Sequence, residues 1–205
     1  MSNIKERKVR TACFAAAILL QLTATLSLLT YTARTKHYAQ KNGRIVNLAC
    51  RAYDPYNPFK GRYVRLSFEE ANVDKSKLDA ESFENQSKRG DIYYLRMEEG
   101  ADSLWTVRGI RAALPKQDGN IYIQGQTYIH SLDTVHITFP CSEYYMQENY
   151  AQYVDTIQWQ DFNALQPVLS LYVDKKGRCI QKGLSVLDGT VRISIEEYCK
   201  RHIRT

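Results

Sequence analysis

The chain has 205 residues, which is enough for one domain of ordinary size and a short additional segment. Its formal net charge is +6, but the first 36 residues carry six basic side chains and one acidic, whereas the remaining 169 carry 22 basic and 21 acidic. Because nucleic-acid-binding proteins carry their positive charge on the folded part of the chain, this near-neutral remainder argues against nucleic acid as a partner.

Residues 12–32, ACFAAAILLQLTATLSLLTYT, contain no charged side chain. A helix needs about 20 such residues to cross the hydrocarbon core of a bilayer. We therefore predict a transmembrane helix over 12–32 that serves as an uncleaved signal anchor in a lipid bilayer. Two alternatives remain, a cleaved signal peptide and a buried helix of a soluble protein. Tyr31, two residues before Ala33, is a poor match to a cleavage site.

The orientation of this span follows from the basic residues around it. Four of them precede the span and four follow it closely, so the positive-inside count is tied. The upstream four are packed into residues 5–10, which favours a cytoplasmic tail over 1–11 and a domain on the outer side. Within the span, the small Ala16 and the polar Gln21 are the predicted contacts to a partner helix.

The rest of the chain is predicted to be one mainly β domain. Residues 33–43 are polar and predict a juxtamembrane linker. Alternating apolar residues then predict short strands, and Asp118-Gly119 and Asp188-Gly189 predict turns between them. We predict an antiparallel β-sandwich or partly open barrel over 44–195 with one short packing helix. Residues 196–205 form a basic C-terminal tail. The strand segments are 45–50, 63–68, 91–98, 104–112, 120–130, 134–139, 168–173, 178–185 and 190–195.

A turn rich in proline leads into the second of these strands. It carries Asp54, Pro55, Pro58 and Phe59, and the strand that follows reads Gly61-Arg62-Tyr63-Val64-Arg65-Leu66-Ser67-Phe68. This segment resembles the signature of the bacterial GDYXXLXY family, with Gly61, Tyr63 and Leu66 in the naming positions. Arg62 stands where that motif has an acid, and Phe68 where it has a final Tyr. Further along, Phe139-Pro140 and Tyr144 to Glu148 extend the resemblance.

The resemblance implies an N-terminal membrane segment, a β-rich domain and no established activity. It also implies a multi-pass membrane protein as a partner, because members are often encoded beside one. The residues themselves favour a structural role for the signature. Pro55 and Pro58 fix φ and hold the residue before each in an extended conformation, and Asp54 and Asn57 suit Asx turns. A ligand-binding loop is the alternative.

A helix predicted over Ser142–Val154 holds the candidate catalytic residues. Tyr144, Tyr145 and Glu148 would lie on one face of it at i, i+3 and i+4 spacing. A carboxyl group with a raised pKa in an aromatic pocket suits general acid–base catalysis, although ordinary packing produces the same cluster. This is the basis of an alternative function, a hydrolase that uses Glu148 with Tyr144 or Tyr145.

Metal binding has one candidate pair, His130 and His136. Their apolar neighbours predict that Ile129 pairs with Val135, which places both imidazoles on the polar face, about 7 Å apart. Two imidazoles without a third ligand do not form a zinc site, so neither a metal nor another cofactor is expected.

Cysteine usage leaves the disulfide pairing open. Cys13 lies in the span, and Cys50, Cys141, Cys179 and Cys199 permit three connectivities in an oxidising compartment. A domain of this size folds without a disulfide.

Together these patterns predict a membrane-anchored, non-enzymatic accessory or binding module of the bacterial cell envelope, with its domain outside the inner membrane. A cleaved, secreted binding protein is a further alternative.

Overall fold

The structure, a computed structural model, describes residues 2–52, 63–79, 92–116, 118–129 and 133–203. The chain divides into two compact units, residues 1–41 and 42–205. Helix α1, Ser2–Asn42, makes up the described part of the first unit and ends at the first residue of the second. Its segment Cys13–Asn42 includes an apolar window with a mean hydropathy of 1.9, none of it buried. By length and composition, this helix is able to cross a membrane.

Threonine hydroxyls in α1 bond to carbonyl groups of the preceding turn. Thr23 Oγ1 donates to Leu19 O at 2.7 Å, and Thr25 Oγ1 donates to Gln21 O at 2.9 Å. Thr32 makes the same contact with Leu28 O at 2.8 Å. Because each hydroxyl is satisfied within the helix, these residues are compatible with a hydrocarbon environment.

The second unit is mainly β, as predicted, and its described strands form two antiparallel sheets. One sheet has six strands in the order β11-β10-β9-β1-β2-β8, and the other has five in the order β3-β7-β6-β4-β5. The strands are β1 Arg44–Ala52, β2 Tyr63–Phe68, β3 Asn72–Asp74, β4 Ile92–Glu99, β5 Trp105–Arg111, β6 Ile121–Ile129, β7 Thr134–Thr138, β8 Glu143–Tyr145, β9 Val168–Val173, β10 Cys179–Asp188 and β11 Val191–Ser194.

Period-2 alternation explains why these segments are strands with one buried face. In β2, Val64, Leu66 and Phe68 are buried, and the residues between them are exposed. Side chains from both sheets form a single hydrophobic core. Its fully buried members include Leu48 of β1 and Leu95 of β4. Such alternation is the pattern expected of sheets that pack on one face.

The six-stranded sheet is curled so that its edge strand β8 approaches β10. The Gln181 side chain of β10 donates to Glu143 O of β8 at 2.8 Å and to Cys141 O at 3.1 Å. Strand β11 pairs with β10 only from Ser185 onward, so β8 lies beside the first half of β10. Side-chain hydrogen bonds therefore connect two strands that sheet pairing does not join.

Within the described ranges, three further α-helices accompany the sheets. They are α2 Glu148–Thr156, α3 Trp159–Ala164 and α4 Ile195–His202. Ser194 caps α4 by accepting the Glu197 N–H at 3.1 Å, and three basic residues occupy its last turn. Both features stabilise a short helix.

Two predicted elements differ in the structure. The polar segment 33–43, predicted as a linker, is helical as far as Asn42 because it lacks a helix breaker before Gly43. The helix predicted over 142–154 begins only at Glu148, with Gln147 rather than Ser142 as its cap residue. Tyr144 and Tyr145 belong instead to strand β8, which pairs with β2.

Several predicted features lie outside the described residues. These are His130 and the first part of the signature, which includes Asp54, Pro55, Pro58, Phe59 and Gly61. Tyr63, Leu66 and Phe68 of the signature are described, and all three are buried. Their burial is consistent with a structural role for this half of the signature.

Candidate functional site

A groove of about 570 Å³ lies at one end of strands β1 and β9. It has both polar and aromatic walls, and its position is set by the strands and helices that meet there. The side chains used below come from β1, the turn after β2, α3, the segment before β9, and β11. They are Arg51, Glu69, Trp159, Asn163, Gln166 and Arg192.

Trp159 contributes an exposed indole to this groove. Trp159 is the first residue of α3 and is 61% exposed. Phe162 of the same helix is buried at 1% exposure and fixes α3 on the domain. An indole held by a docked helix and open to solvent provides an apolar surface for a ligand.

Two arginines supply positive charge to the same groove. Arg51 forms an ion pair with Glu69 at 3.4 Å, and both side chains are more than half exposed. Such exposed ion pairs contribute at most about 1 kcal/mol to stability, so a competing carboxylate is able to displace Glu69 from Arg51. Arg192 donates from Nη1 to Gln166 O at 2.9 Å.

Gln166 has an unusual backbone conformation at the groove. Its φ is +49°, in the left-handed region that non-glycine residues seldom adopt. The hydrogen bond from Arg192 holds its carbonyl group, and its own N–H donates to Asn163 O at 3.0 Å. Backbone strain of this kind is concentrated at binding sites, where the surroundings fix the conformation.

One wall of the groove is formed by the end of β1, the strand that precedes the signature in sequence. Ala52, the last described residue before that segment, donates its N–H to Asn163 Oδ1 at 2.8 Å. Cys50 lies in the same wall, and burial raises the pKa of its thiol to about 12. Cys50 is therefore a neutral thiol at physiological pH and is not a nucleophile. This groove is suited to binding a ligand.

A larger cleft of about 1030 Å³ lies at the other end of β9. Arg44, Lys116 and Lys175 line it together with two acidic residues. Tyr122 donates to Asp118 Oδ2 at 2.5 Å, and burial together with this contact raises the pKa of Tyr122 to about 12. None of its described lining residues is an exposed aromatic side chain like Trp159, so this cleft is the weaker candidate.

The predicted acid–base cluster is arranged differently in the structure. Tyr144 OH donates to Glu196 Oε1 of α4 at 2.7 Å, and Tyr145 OH donates to Glu143 Oε2 at 2.8 Å. Burial raises the pKa of Tyr144, and the contact with Glu196 raises it further. Glu148 is exposed at the start of α2. The i, i+3, i+4 geometry that motivated the hydrolase alternative is therefore absent from these described residues, because Tyr144 and Tyr145 lie on a strand.

The histidine hairpin has the predicted register. Ile129 pairs with Val135, and Tyr128 pairs with His136. His136 Nδ1 lies 2.8 Å from Asn72 Oδ1, and Asn72 belongs to β3, the strand beside β7. Across the described ranges no group of three or more His, Cys, Asp or Glu residues could hold a metal ion.

The two partner-facing residues proposed in the span, Ala16 and Gln21, are both exposed on α1. They are separated by five residues, so they lie roughly 140° apart around the helix axis. A partner that contacts both would have to cover a wide face of α1.

The fold and groove define a class of protein: a β-rich domain with a solvent-open groove, preceded by one helix able to span a membrane. The chain belongs to the GDYXXLXY family, whose sequence profile, described as GDYXXLXY protein, matches residues 25–184. The predicted resemblance is thus confirmed over most of the chain. No curated protein and no solved structure gives a significant match.

Sequence reasoning missed the Trp159 groove. Its residues come from segments spread between Ala49 and Arg192, so no local spacing brings them together. The available signal was the segment Trp159-Gln160-Asp161-Phe162, in which an aromatic residue on each side of a polar pair suits a short amphipathic helix.

Proposed function

We propose that this protein is a membrane-anchored, non-enzymatic accessory or binding module of the bacterial cell envelope. Helix α1 anchors it in the inner membrane with the N-terminus in the cytoplasm and the β domain outside. The supporting observation is α1, whose apolar window has a mean hydropathy of 1.9 and is wholly exposed. An apolar surface of this extent requires cover, and a bilayer provides it.

The partner of this module is a multi-pass membrane protein, which α1 contacts within the bilayer. Gln21 supports this, because its exposed carboxamide is able to form a hydrogen bond with another helix. The hydroxyls of Thr23 and Thr25 bond to carbonyl groups of α1 itself. An interhelical hydrogen bond from Gln21 would contribute about 1 kcal/mol.

The Trp159 groove is the second contact, and it binds an extracytoplasmic segment of the same partner. We expect this segment to present an apolar side chain to the Trp159 indole and a carboxylate to Arg51. The ion pair of Arg51 with Glu69 is exposed and therefore exchangeable. This pairing of an aromatic residue with arginine is the composition found at the centres of binding sites.

Site-specific photo-crosslinking in cells tests both contacts. A photoreactive amino acid replaces Gln21 in one variant and Gln160 in another, because Gln160 is an exposed residue of the groove. The control position is Lys176, which is exposed in the turn at the opposite end of β9. We expect one multi-pass membrane protein to be crosslinked from positions 21 and 160 and not from 176.

The Trp159→Ala substitution separates the two contacts. It should abolish the crosslink from position 160 and leave that from position 21 in place. Equal crosslinking from 160 and 176, or no crosslink from either 21 or 160, would contradict the proposal.

A further inference from the structure

Two cysteines from distant parts of the chain meet at the gap between β8 and β10. Cys141 lies in the turn between β7 and β8, and Cys179 is the first residue of β10. Their Sγ atoms are 3.0 Å apart, and Cys141 Sγ also lies 3.8 Å from Cys179 O. Both residues are half-buried. They are free thiols in this structure, in direct contact.

The surrounding hydrogen bonds hold the two backbones at this separation. Gln181, two residues after Cys179, donates to Cys141 O at 3.1 Å and to Glu143 O at 2.8 Å. One side chain therefore fixes the turn that carries Cys141 against the strand that carries Cys179. Covalent bond formation between the sulfur atoms would need little movement of either backbone.

We propose that Cys141 and Cys179 form a thiol–disulfide exchange site, at which a disulfide oxidant converts the two thiols into one disulfide bond. This inference goes beyond the proposed function and does not depend on it, because it concerns two side chains of the β domain and uses neither the anchor nor the groove.

Cys141 is the attacking group. The hydrogen bond between the two thiols lowers the pKa of Cys141, whereas the same contact and burial raise the pKa of Cys179. The thiolate is the nucleophile in exchange, so the thiol that ionises more readily reacts first. Cys50 and Cys199 are buried, and burial raises the pKa of these thiols to about 12 and about 11. Cys50 and Cys199 therefore react with the oxidant more slowly than Cys141.

The exchange proceeds in two balanced steps. The Cys141 thiolate attacks one sulfur of the oxidant, which forms a mixed disulfide and releases the first half of the oxidant as a thiolate. Cys179 then gives up its proton and attacks Cys141 Sγ, which forms the intramolecular disulfide and releases the second half. The two protein thiols are oxidised, and one oxidant disulfide is reduced to two thiols.

The product would fasten the edge of the six-stranded sheet. The bond joins residues 38 positions apart and links the β7–β8 turn to β10. A crosslink over a loop of this length restricts the unfolded chain and typically raises the melting temperature of a protein of this size by about 5–10 °C.

Peptide mapping of the full-length protein in detergent tests the site, with oxidised glutathione as the oxidant. Trypsin cleaves after Lys and Arg, so each of these cysteines lies on a separate peptide. The peptides are 45–51 with Cys50, 117–175 with Cys141, 179–182 with Cys179 and 193–200 with Cys199. After oxidation and blocking of free thiols, we expect 179–182 to be linked to 117–175, and the linkage to disappear on reduction.

Single substitutions provide the second readout. Oxidation should raise the melting temperature by about 5–10 °C in the wild type and in the control Cys13→Ser, and not in Cys141→Ser or Cys179→Ser. In the reduced wild type, a thiol-alkylating reagent at pH 8 should label Cys141 at least about tenfold faster than Cys50 or Cys199. Oxidised protein in which Cys141 and Cys179 both remain alkylatable, or in which either is linked to another cysteine, would overturn the proposal.

Discussion

Asp79 shows how a single side chain organises the five-stranded sheet. Its carboxylate accepts two hydrogen bonds from Arg111, both at 2.7 Å, and forms an ion pair with Arg96 Nε at 3.2 Å. The three side chains are between 16% and 29% exposed. Bidentate contacts of this kind are strong and directional, so the carboxylate has little freedom to move.

Gly109 of β5 faces this clamped carboxylate, and replacing it is predicted to destabilise the fold. A Cβ at position 109 would overlap Asp79 Oδ2. We expect Gly109→Ala to lower the free energy of unfolding by about 1–3 kcal/mol, because the crowded carboxylate must break its contacts with arginine to move. Urea unfolding of the purified protein measures this change.

Gly183→Ala is the matched control, since an added Cβ at 183 meets nothing within 4 Å. It should change the unfolding free energy by less than about 0.5 kcal/mol. Equal stability of the two variants would show that Asp79 is not clamped as described.

Substitution of the two tryptophans of the chain is predicted to change the free energy of unfolding by very different amounts. Trp105 is 8% exposed and belongs to the core, whereas Trp159 is 61% exposed. Trp105→Ala should lower the unfolding free energy by about 3–5 kcal/mol, since it leaves a cavity. Trp159→Ala should change it by less than about 0.5 kcal/mol while it abolishes the crosslink from position 160. A large loss of stability in Trp159→Ala would reassign that indole to packing.

Among the secondary-structure elements, β8 depends on side chains for its attachment to β10. Gln181→Ala removes the donor to two backbone carbonyl groups, those of Cys141 and Glu143. We expect this change to lower the unfolding free energy of the reduced protein by about 1–3 kcal/mol, because both carbonyl groups lose the hydrogen bond from Gln181. Thermal unfolding in the presence of a reductant measures it.

The exposed Gln160 serves as the comparison, and Gln160→Ala should leave stability unchanged. An equally neutral Gln181→Ala would mean that the bridge contributes nothing to holding the edge of the sheet.

Local pattern was sufficient to predict most strands, because their burial alternates with period 2. It predicted the buried face of β2 and the pairing of Ile129 with Val135. It failed for β8, a three-residue edge strand whose pairing with β2 is a contact between segments distant in sequence. Read alone, Tyr144 and Tyr145 are equally compatible with a helix. In the six-stranded sheet, β9 lies between β1 and β10. This order likewise depends on contacts between distant segments, which the spacing of residues within one segment does not reveal.

The candidate sites show the same difference between what local sequence predicts and what tertiary contacts determine. Candidates chosen by spacing along the sequence, such as Glu148 with Tyr144, depended on a helix that begins later than predicted. Trp159 and the pair Cys141 and Cys179 are brought to their neighbours by the curling of one sheet and the docking of α3. These arrangements are tertiary, so the sequence could at most suggest the short helix that carries Trp159, and not the residues that meet around it.

For the whole molecule, the proposed function depends on α1 and on the side of the membrane that the domain occupies. The helix is continuous from Ser2 to Asn42, and its apolar part is exposed. The excess of basic residues lies in the first 36, which leaves the rest of the chain nearly neutral. A near-neutral domain is suited to binding a partner through a small site such as the Trp159 groove rather than through its overall field.

Protease accessibility in spheroplasts tests this arrangement most directly, with a tag at each end of the full-length chain. We predict that the protein remains in the membrane fraction after an alkaline carbonate wash and retains its full mass. External protease should remove the C-terminal tag from intact spheroplasts and leave the N-terminal tag protected. A C-terminal tag that is digested only after lysis, or a carbonate-soluble chain that begins after residue 32, would contradict the account.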